Sequence, residues 1–181
     1  MKKSLIAVIV LLAVFPKLHA QTQINKLTFS IKGGYNHTVI NGYETTGGKT
    51  GFSGSTIYGG LVIEKGIAES KFINAGLLFS WVNDWNFLEI PFHYRQKVSK
   101  EFSIFGGPKL DLAADKFDKT KESISKFLGI SAEIGGQYNF SVHLFAETEY
   151  SIGIGKSFND DFFDINSGRR DNFRIGLGYC F

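Results

Sequence analysis

Cysteine is almost absent from this sequence of 181 residues, because Cys180 is the only one. A single cysteine cannot form an intramolecular disulfide, so the chain must gain its stability in another way. Closing a β-sheet into a barrel is one such way, since it pairs every strand edge. Beyond residue 20 the sequence also lacks any apolar run of eighteen residues or more, which excludes helical membrane spans.

The first twenty residues differ in composition from the rest of the chain. Lys2 and Lys3 precede an apolar run of eleven residues from Leu5 to Phe15, and the small residue Ala20 follows shortly afterwards. This layout is typical of a secretory signal peptide. We therefore predict a signal peptide over 1–20 and a single domain over 21–181.

Charge of one sign is not in excess in the predicted mature chain. The full sequence has 20 Lys+Arg and 17 Asp+Glu, and loss of Lys2, Lys3 and Lys17 with the signal peptide leaves 17 of each. A neutral chain without a basic stripe is not expected to bind nucleic acid. The three remaining histidines lack the close spacing of a zinc site, and we expect no metal and no other cofactor.

Alternation of apolar and polar residues is the strongest signal in the sequence. From Phe173 to Phe181 every odd position is large and apolar, while the even positions are Arg, Gly, Gly and Cys. This period of two is typical of a strand between two different environments. The same pattern recurs along the chain and predicts eight strands, at 26–38, 53–65, 70–82, 85–97, 101–113, 126–138, 141–154 and 172–181.

Charged residues are concentrated on one face of these strands. On the other face, 41 positions between Leu27 and Phe181 contain no Asp, Glu, Lys or Arg. A soluble barrel would place the charged face outside and an apolar core inside, but here the charge-free face is too extensive for a narrow interior. A membrane barrel resolves the conflict, because apolar side chains face lipid and charges face a polar lumen. The lumen set is Lys32, Glu64, Glu89, Arg95, Lys109, Asp111, Glu133, Glu147, Glu149 and Arg174.

We therefore predict an all-β fold, an eight-stranded antiparallel up-and-down transmembrane β-barrel. The connections at 66–69, 98–100 and 139–140 are short, as periplasmic turns are, and those at 39–52, 114–125 and 155–171 are long and polar, as extracellular loops are. The third connection, at Asn83 and Asp84, is short for an outer loop. An even strand count then puts both termini on the periplasmic side of the outer membrane.

Several segments resemble the Bacteroidetes-type outer-membrane β-barrel (porin-like) family, which contains small barrels of the OmpA/OmpX type. The matching segments, in chain order, are 59–64, 76–80, 88–92, 105–108, 149–154 and 176–181. The family often has Arg-Tyr where this chain has Glu149 and Tyr150. The resemblance implies export and a membrane barrel, and it supplies no catalytic residues. An aromatic C-terminal residue also resembles the signal read by the barrel-assembly machinery, which implies that role for Tyr179 and Phe181.

The lumen charges are the candidate functional residues. Glu89 and Lys109 are predicted to lie opposite each other, if the turn is centred near 99, and Glu149 and Arg174 both lie toward the outer half. With Glu133 and Glu147 they form a predicted network that either plugs the lumen or gates a narrow pore. We expect a plugged, non-enzymatic and monomeric barrel with a structural or surface-interaction role. Its expected partners are outer-membrane lipids, lipopolysaccharide and the assembly machinery.

Two alternatives stay open. One is a narrow passive pore for small ions or solutes. The other is a barrel enzyme that modifies lipid A, for which His37, near the outer rim, and Ser53 and Ser55, at the start of the next strand, are the candidate residues.

Overall fold

The computed structural model of the protein describes residues 25–44, 46–82, 85–113, 128–154, 158–160 and 165–181. The predicted signal peptide at 1–20 lies outside the described residues, and so do the predicted connections at 83–84 and 114–125. Within the described part of the chain, no helix is long and apolar enough to cross a membrane. The secondary structure there consists of β-strands joined by turns.

Eight strands close into a ring, which confirms the predicted fold class. Each strand pairs antiparallel with its neighbour, β1 also pairs with β9, and the short β8 pairs only with β9. The strands are β1 (Leu27–Tyr43), β2 (Lys49–Ala68), β3 (Lys71–Val82), β4 (Trp85–Lys97), β5 (Phe102–Ala113), β6 (Leu128–Asn139), β7 (Leu144–Ile154), β8 (Phe158–Asp160) and β9 (Ile165–Cys180).

The register of the ladders fixes the tilt of the strands. A path through directly paired residues that leaves β1 at Leu27 returns to β1 at His37, after passing Lys65, Ile73, Tyr94, Gly106, Ile134, Tyr150 and Phe173. The shear number of the barrel, which is the register offset after one circuit of the ring, is therefore ten residues. With ordinary strand spacing and rise, this stagger tilts the strands by about 40° from the barrel axis. Such a narrow barrel has an interior that side chains can fill.

The two faces of the wall are sorted as the alternation predicts. Ile57 and Ile134 on the outer face are 65% and 66% exposed, whereas Glu89 and Lys109 on the inner face are completely buried. Apolar side chains thus surround the barrel, and its interior holds charged side chains together with buried apolar ones such as Leu78 and Phe87. This arrangement is the reverse of a water-soluble barrel and suits a lipid environment.

Tight turns lie at one end of the barrel. Residues 69–70, 98–101 and 140–143 connect β2 to β3, β4 to β5 and β6 to β7. We refer to this end, where β1 begins and β9 ends, as the terminal end, and to the opposite end as the loop end. The short connections predicted at the terminal end are confirmed.

The first predicted loop, 39–52, is wrong in extent. The pairing of β1 with β2 continues to Tyr43 and Lys49, so that only residues 44–48 form the connection, with Gly47 at φ +89°. The prediction missed these strand ends because polar Asn41 and Ser53 face outward while the apolar Ile40 faces inward, which removes the contrast between faces. The hairpin therefore extends well beyond the point where β3 stops.

The last predicted loop, 155–171, is wrong in the same way. β9 begins at Ile165, and its added residues pair with the extended part of β1 as far as Tyr43 with Asn166. Arg170 consequently lies in the lumen wall, where the sequence pattern placed a loop. Residues 155–157 and 161–164 of that predicted loop lie outside the described residues.

The extended parts of β1 and β2 form a projecting hairpin at the loop end, residues 39–43 and 49–53. β2 pairs with β3 only from Tyr58 onward. Among the described residues, 49–57 of β2 consequently have a partner strand on one side only, namely β1. This stretch is an open sheet edge that runs from Ile57, an exposed apolar residue of the outer wall, to the tip of the hairpin.

Candidate functional site: the lumen charge network

The six residues predicted as a lumen network all have buried side chains inside the barrel, with at most 6% exposure. Lys32, Asp111 and Arg170 are buried with them, and the sequence pattern had missed the last of these. The predicted six are Glu89, Lys109, Glu133, Glu147, Glu149 and Arg174.

Nearest the loop end, Arg170 links acids from two other strands. Its Nη1 lies 2.8 Å from Asp111 Oδ1 and 3.1 Å from Glu89 Oε1. Its Cζ lies 3.8 Å from the centre of the Phe87 ring. The guanidinium group is thus held by two carboxylates and an aromatic face, which are the interactions that compensate for burying an arginine.

Glu89 is the centre of the network. It forms ion pairs with Arg170, with Arg174 and, through Oε2 at 3.0 Å, with Lys109 Nζ. The Ser80 hydroxyl donates a hydrogen bond of 2.6 Å to Glu89 Oε1. One carboxylate therefore joins three cations from two strands, and its negative charge is fully compensated.

The predicted register of Glu89 opposite Lys109 is wrong by two residues. Glu89 pairs with Asp111, and Lys109 pairs with Pro91. The difference arises because the turn between β4 and β5 is centred near residue 100 rather than 99, with Val98 N donating to Phe102 O. The two charges still meet diagonally across the ladder, since the long lysine side chain spans the offset.

A second group of charges lies toward the terminal end. Lys32 Nζ lies 2.7 Å from Glu147 Oε1 and also forms an ion pair with Glu149. The Tyr58 hydroxyl donates to Glu147 Oε1 at 3.0 Å. Glu149 pairs directly with Arg174 in the ladder of β7 and β9, and the two side chains approach to 3.7 Å. Glu149 therefore connects this group to the cluster around Glu89.

His93 joins the network through Glu133. Its Nε2 lies 2.9 Å from Glu133 Oε1, and Lys109 Nζ lies 3.3 Å from Glu133 Oε2. The His93 ring also packs against Phe105, with 5.0 Å between ring centres. No pattern in the sequence indicated this contact, because it depends on the register of two ladders. Within the described part of the chain, no three His, Cys, Asp or Glu side chains could hold a metal ion.

Below the network, toward the terminal end, the lumen opens into a vestibule. This cavity has a volume of about 400 Å³, and its polar lining includes Lys32, Glu64, His93, Arg95 and Glu147. Glu64 and Arg95 form an ion pair on its wall, and Arg95 also donates to Ser103 Oγ at 3.1 Å. The vestibule ends where the continuous ion-pair network begins. The interior is therefore open at one end and filled with side chains at the other.

The two predicted assembly residues lie at the terminal end of β9. Phe181 is 67% exposed on the outer face, and its N–H donates to Phe29 O at 2.9 Å. Tyr179 is on the same face but is 8% exposed, because the His143 ring stacks on it and the Phe181 ring packs against its edge. Phe181 alone presents its ring to the surroundings.

At the opposite rim, the structure brings His37 and Ser55 together. His37 Nδ1 lies 2.9 Å from Ser55 Oγ, and the Tyr35 hydroxyl donates to the same oxygen at 2.8 Å. Ser53 is exposed on the same face of β2, two residues before Ser55 and nearer the tip of the hairpin. These residues are separate from the lumen network, since they lie on the outer face of the wall.

Comparison with known proteins supports the fold. No family profile matches this chain, and no curated protein matches it. Among solved structures, it is similar to Ail, the attachment invasion locus protein of Yersinia pestis, at 12% identity over 86% of this chain and 99% of that chain, with a TM-score of 0.52. Neisserial surface protein A is similar at 12% identity over 83% and 96%, with a TM-score of 0.51.

The chain has the fold of a small transmembrane β-barrel. The similar solved structures are eight-stranded outer-membrane barrels, and they match nearly their whole length to this chain. At identities this low the similarity concerns the fold alone, so the function rests on the site itself.

Proposed function

We propose that this protein is a monomeric outer-membrane barrel with a surface-interaction role and a lumen plugged by its charge network. The observation that carries the surface role is the projecting hairpin, whose β2 edge at 49–57 has no second partner strand among the described residues. Unpaired backbone groups on such an edge can bind an extended protein segment as an added strand.

The residues of this edge favour pairing rather than prevent it. Natural sheet edges are commonly protected by proline, by charged side chains or by bulges. Residues 49–57 contain no proline, and Lys49 at the tip is their only charged residue. Gly51 and Gly54 add little side-chain bulk. An approaching strand would therefore meet accessible backbone over most of this stretch.

The proposal includes the orientation and the partners expected from the sequence. The tight turns, the start of β1 and the end of β9 all lie at the terminal end. This arrangement supports a periplasmic position for that end. The loop end then faces outward, and the apolar wall contacts outer-membrane lipids, including lipopolysaccharide. Recognition of Phe181 by the barrel-assembly machinery and membership of the Bacteroidetes-type family belong to the same proposal. The lumen network has a structural role and no catalytic one.

The hairpin can be shortened while the ladders from Ile40 toward the terminal end stay in place, although Arg169 and Asn166 of β9 then lose their partners on β1. Because Ile40 pairs with Phe52, replacing residues 41–51 by Asn-Gly joins paired strand positions through a two-residue turn. We expect wild-type protein to bind extended peptides selected from a displayed library. The shortened variant keeps only residues 52–57 of the open edge, so it should bind those peptides more weakly while keeping heat-modifiable gel mobility. Equal binding by both proteins, or none by the wild type, would refute the surface role.

A narrow pore is the second candidate function, and the vestibule is the observation that favours it. A cavity of about 400 Å³ already occupies one end of the lumen, so a path would need rearrangement only of the ion pairs and of the buried side chains nearer the loop end. Planar-bilayer recordings distinguish the two readings. The plugged barrel predicts no regular conductance steps in the wild type. A gate predicts steps whose size or frequency changes in Lys109→Ala, and identical recordings for the two proteins would count against a gate.

A further inference from the structure

The polar cluster of Tyr35, His37 and Ser55 lies where the outer wall changes from apolar to polar. His37 pairs with Ser55 on β2 and with Phe173 on β9. Toward the terminal end, the next outward positions are apolar or aromatic on all three strands, at Tyr35, Ile57 and Ile175, and all are 47% exposed or more. Toward the loop end, the next outward positions are the polar or small residues Ser53 and Gly51 on β2 and Asp171 and Arg169 on β9, with Val39 on β1.

This boundary marks the level of the lipid headgroups. The apolar band of a membrane barrel covers the hydrocarbon region, and aromatic and polar residues follow at its interface. Ester groups join the acyl chains to the headgroups of membrane lipids at that same depth. The cluster is therefore placed beside the lipid esters of the leaflet at the loop end.

The three side chains form a directional hydrogen-bond chain. The Tyr35 hydroxyl donates to Ser55 Oγ at 2.8 Å, and with its ring proton on Nε2, His37 accepts the Ser55 hydroxyl hydrogen on Nδ1 at 2.9 Å. A serine hydroxyl that donates to an imidazole is the arrangement that activates serine as a nucleophile. Tyr35 is a positioning residue, because its bond fixes the orientation of the serine oxygen.

We propose that Ser55 and His37 form a hydrolytic site for the acyl esters of membrane lipids at the loop-end rim. Ser55 Oγ attacks the ester carbonyl carbon while His37 Nδ1 takes the hydroxyl proton. The tetrahedral intermediate then expels the lipid alcohol, which receives that proton, and leaves an acyl-serine. Water attacks this ester with His37 again as the base, so that a free fatty acid leaves and Ser55 is restored.

The open edge of β2 supplies donors for the oxyanion. Successive residues of a strand direct their N–H groups to opposite edges. The N–H of either Ser55 or its neighbour Thr56 therefore points to the side on which the described residues place no partner strand. A backbone N–H beside the nucleophile is the kind of group that stabilises the developing negative charge.

The site lacks the third member of a complete triad. Among the described residues no carboxylate contacts His37, and Asp171, on the neighbouring strand, instead accepts from Gly153 N at 3.0 Å and Asn41 Nδ2 at 3.3 Å. Loss of the orienting carboxylate slows a serine protease by about 10⁴-fold. We therefore expect slow turnover. This inference goes beyond the proposed surface role and departs from the expectation of a non-enzymatic barrel.

The test uses full-length mature protein refolded from inclusion bodies, so that no host lipase accompanies it. The protein is incubated separately with diacyl phospholipid vesicles and with lipopolysaccharide, and released fatty acids are measured by mass spectrometry. A fluorophosphonate probe, which labels activated serines, provides a readout that does not depend on the lipid chosen. Heat-modifiable mobility verifies that every variant is folded.

Ser55→Ala is matched by Ser53→Ala, which changes an exposed serine on the same strand and the same face. We expect Ser55→Ala to abolish labelling and to reduce fatty-acid release at least about 100-fold, and His37→Ala to reduce both by about 10²–10⁴-fold. Ser53→Ala should equal the wild type. Tyr35→Phe should slow labelling of Ser55 without changing its position in the peptide map. Release from one lipid and not the other identifies the ester source.

Two results would overturn the proposal. One is the absence of both labelling and fatty-acid release in the folded wild type. The other is release or labelling that Ser55→Ala leaves unchanged. The hydrolytic site can be tested separately from the surface role, because the variant in which residues 41–51 are replaced retains Tyr35, His37 and Ser55. That variant is expected to retain the hydrolytic activity.

Discussion

Arg170 on β9 and Asp111 on β5 form an ion pair of 2.8 Å across the barrel lumen, and both side chains are completely buried. The two strands are not neighbours in the ring, so the contact spans the interior rather than following the wall. It closes the loop end of the charge network. A barrel of this diameter is narrow enough for one arginine to reach across it.

Arg170→Ala should destabilise the folded barrel by about 3–5 kcal/mol, because it leaves Asp111 and Glu89 partly uncompensated in the lumen. The free energy of unfolding is measurable by urea titration in lipid vesicles, with gel mobility as the readout. Arg169→Ala is the matched control, since the Arg169 side chain is half-exposed. We expect that control to stay within about 0.5 kcal/mol of the wild type. Similar losses in the two variants would contradict a structural role for the lumen arginine.

Lys32→Ala should also destabilise the barrel, because Glu147 and Glu149 would then face each other without their shared cation. The expected loss is again about 3–5 kcal/mol. Adding Glu147→Gln removes one of the two uncompensated charges. The stability loss of the double variant should therefore be smaller, by at least about 1 kcal/mol, than the sum of the losses of the two single variants. Strict additivity in this double-mutant cycle would show that Lys32 and Glu147 are not coupled. Lys65→Ala, on the exposed face of β2, controls for removal of a lysine.

Gly178→Ala tests the packing of aromatic rings inside the lumen. A methyl group at residue 178 would lie 2.0 Å from Phe145 Cζ, and Phe145 is the direct partner of Gly178 in the ladder. We expect a loss of about 1–3 kcal/mol from overpacking. Phe145→Leu in the same chain should restore part of it, since the shorter side chain vacates the space over Gly178. Gly51→Ala, where the nearest atom is 3.9 Å away, should be almost neutral. A loss that Phe145→Leu does not reduce would point to backbone strain.

The fold could be predicted from the sequence wherever the two faces of a strand meet different environments. Ile57 and Glu89 show this contrast, because one is exposed to lipid and the other lies buried among charges. At the projecting hairpin this contrast breaks down, because the apolar Ile40 is buried on the inner face while the polar Asn41 and Ser53 are exposed on the outer face. That loss of contrast hid the true ends of β1, β2 and β9 and, with them, Arg170.

The members of the lumen network were predictable, but their partners were not. Alternation places Glu89, Lys109 and Glu133 in the lumen without fixing which strand faces which. Their contacts depend on turn centres, where an error of one residue moves a partner by two positions, as it did for Glu89 and Lys109. The contact between His37 and Ser55 depends in the same way on the register of the first hairpin.

Phe181→Ala separates an assembly signal from a lipid contact. The Phe181 ring is 67% exposed and the Phe29 ring 56% exposed on the adjacent strand, so the two truncations remove comparable lipid-facing surface near the same end of the barrel. Refolded in vitro, Phe181→Ala and Phe29→Ala should therefore lose similar, modest amounts of stability. In cells, only Phe181→Ala should lower the amount of folded protein in the outer-membrane fraction and leave unfolded chain in the periplasm, because the assembly machinery would read the final residue. Quantitative blotting after electrophoresis, with heat-modifiable mobility to distinguish folded from unfolded chain, measures the amounts in the outer-membrane and periplasmic fractions. Equal effects in cells would mean that Phe181 acts only as a lipid-facing aromatic residue.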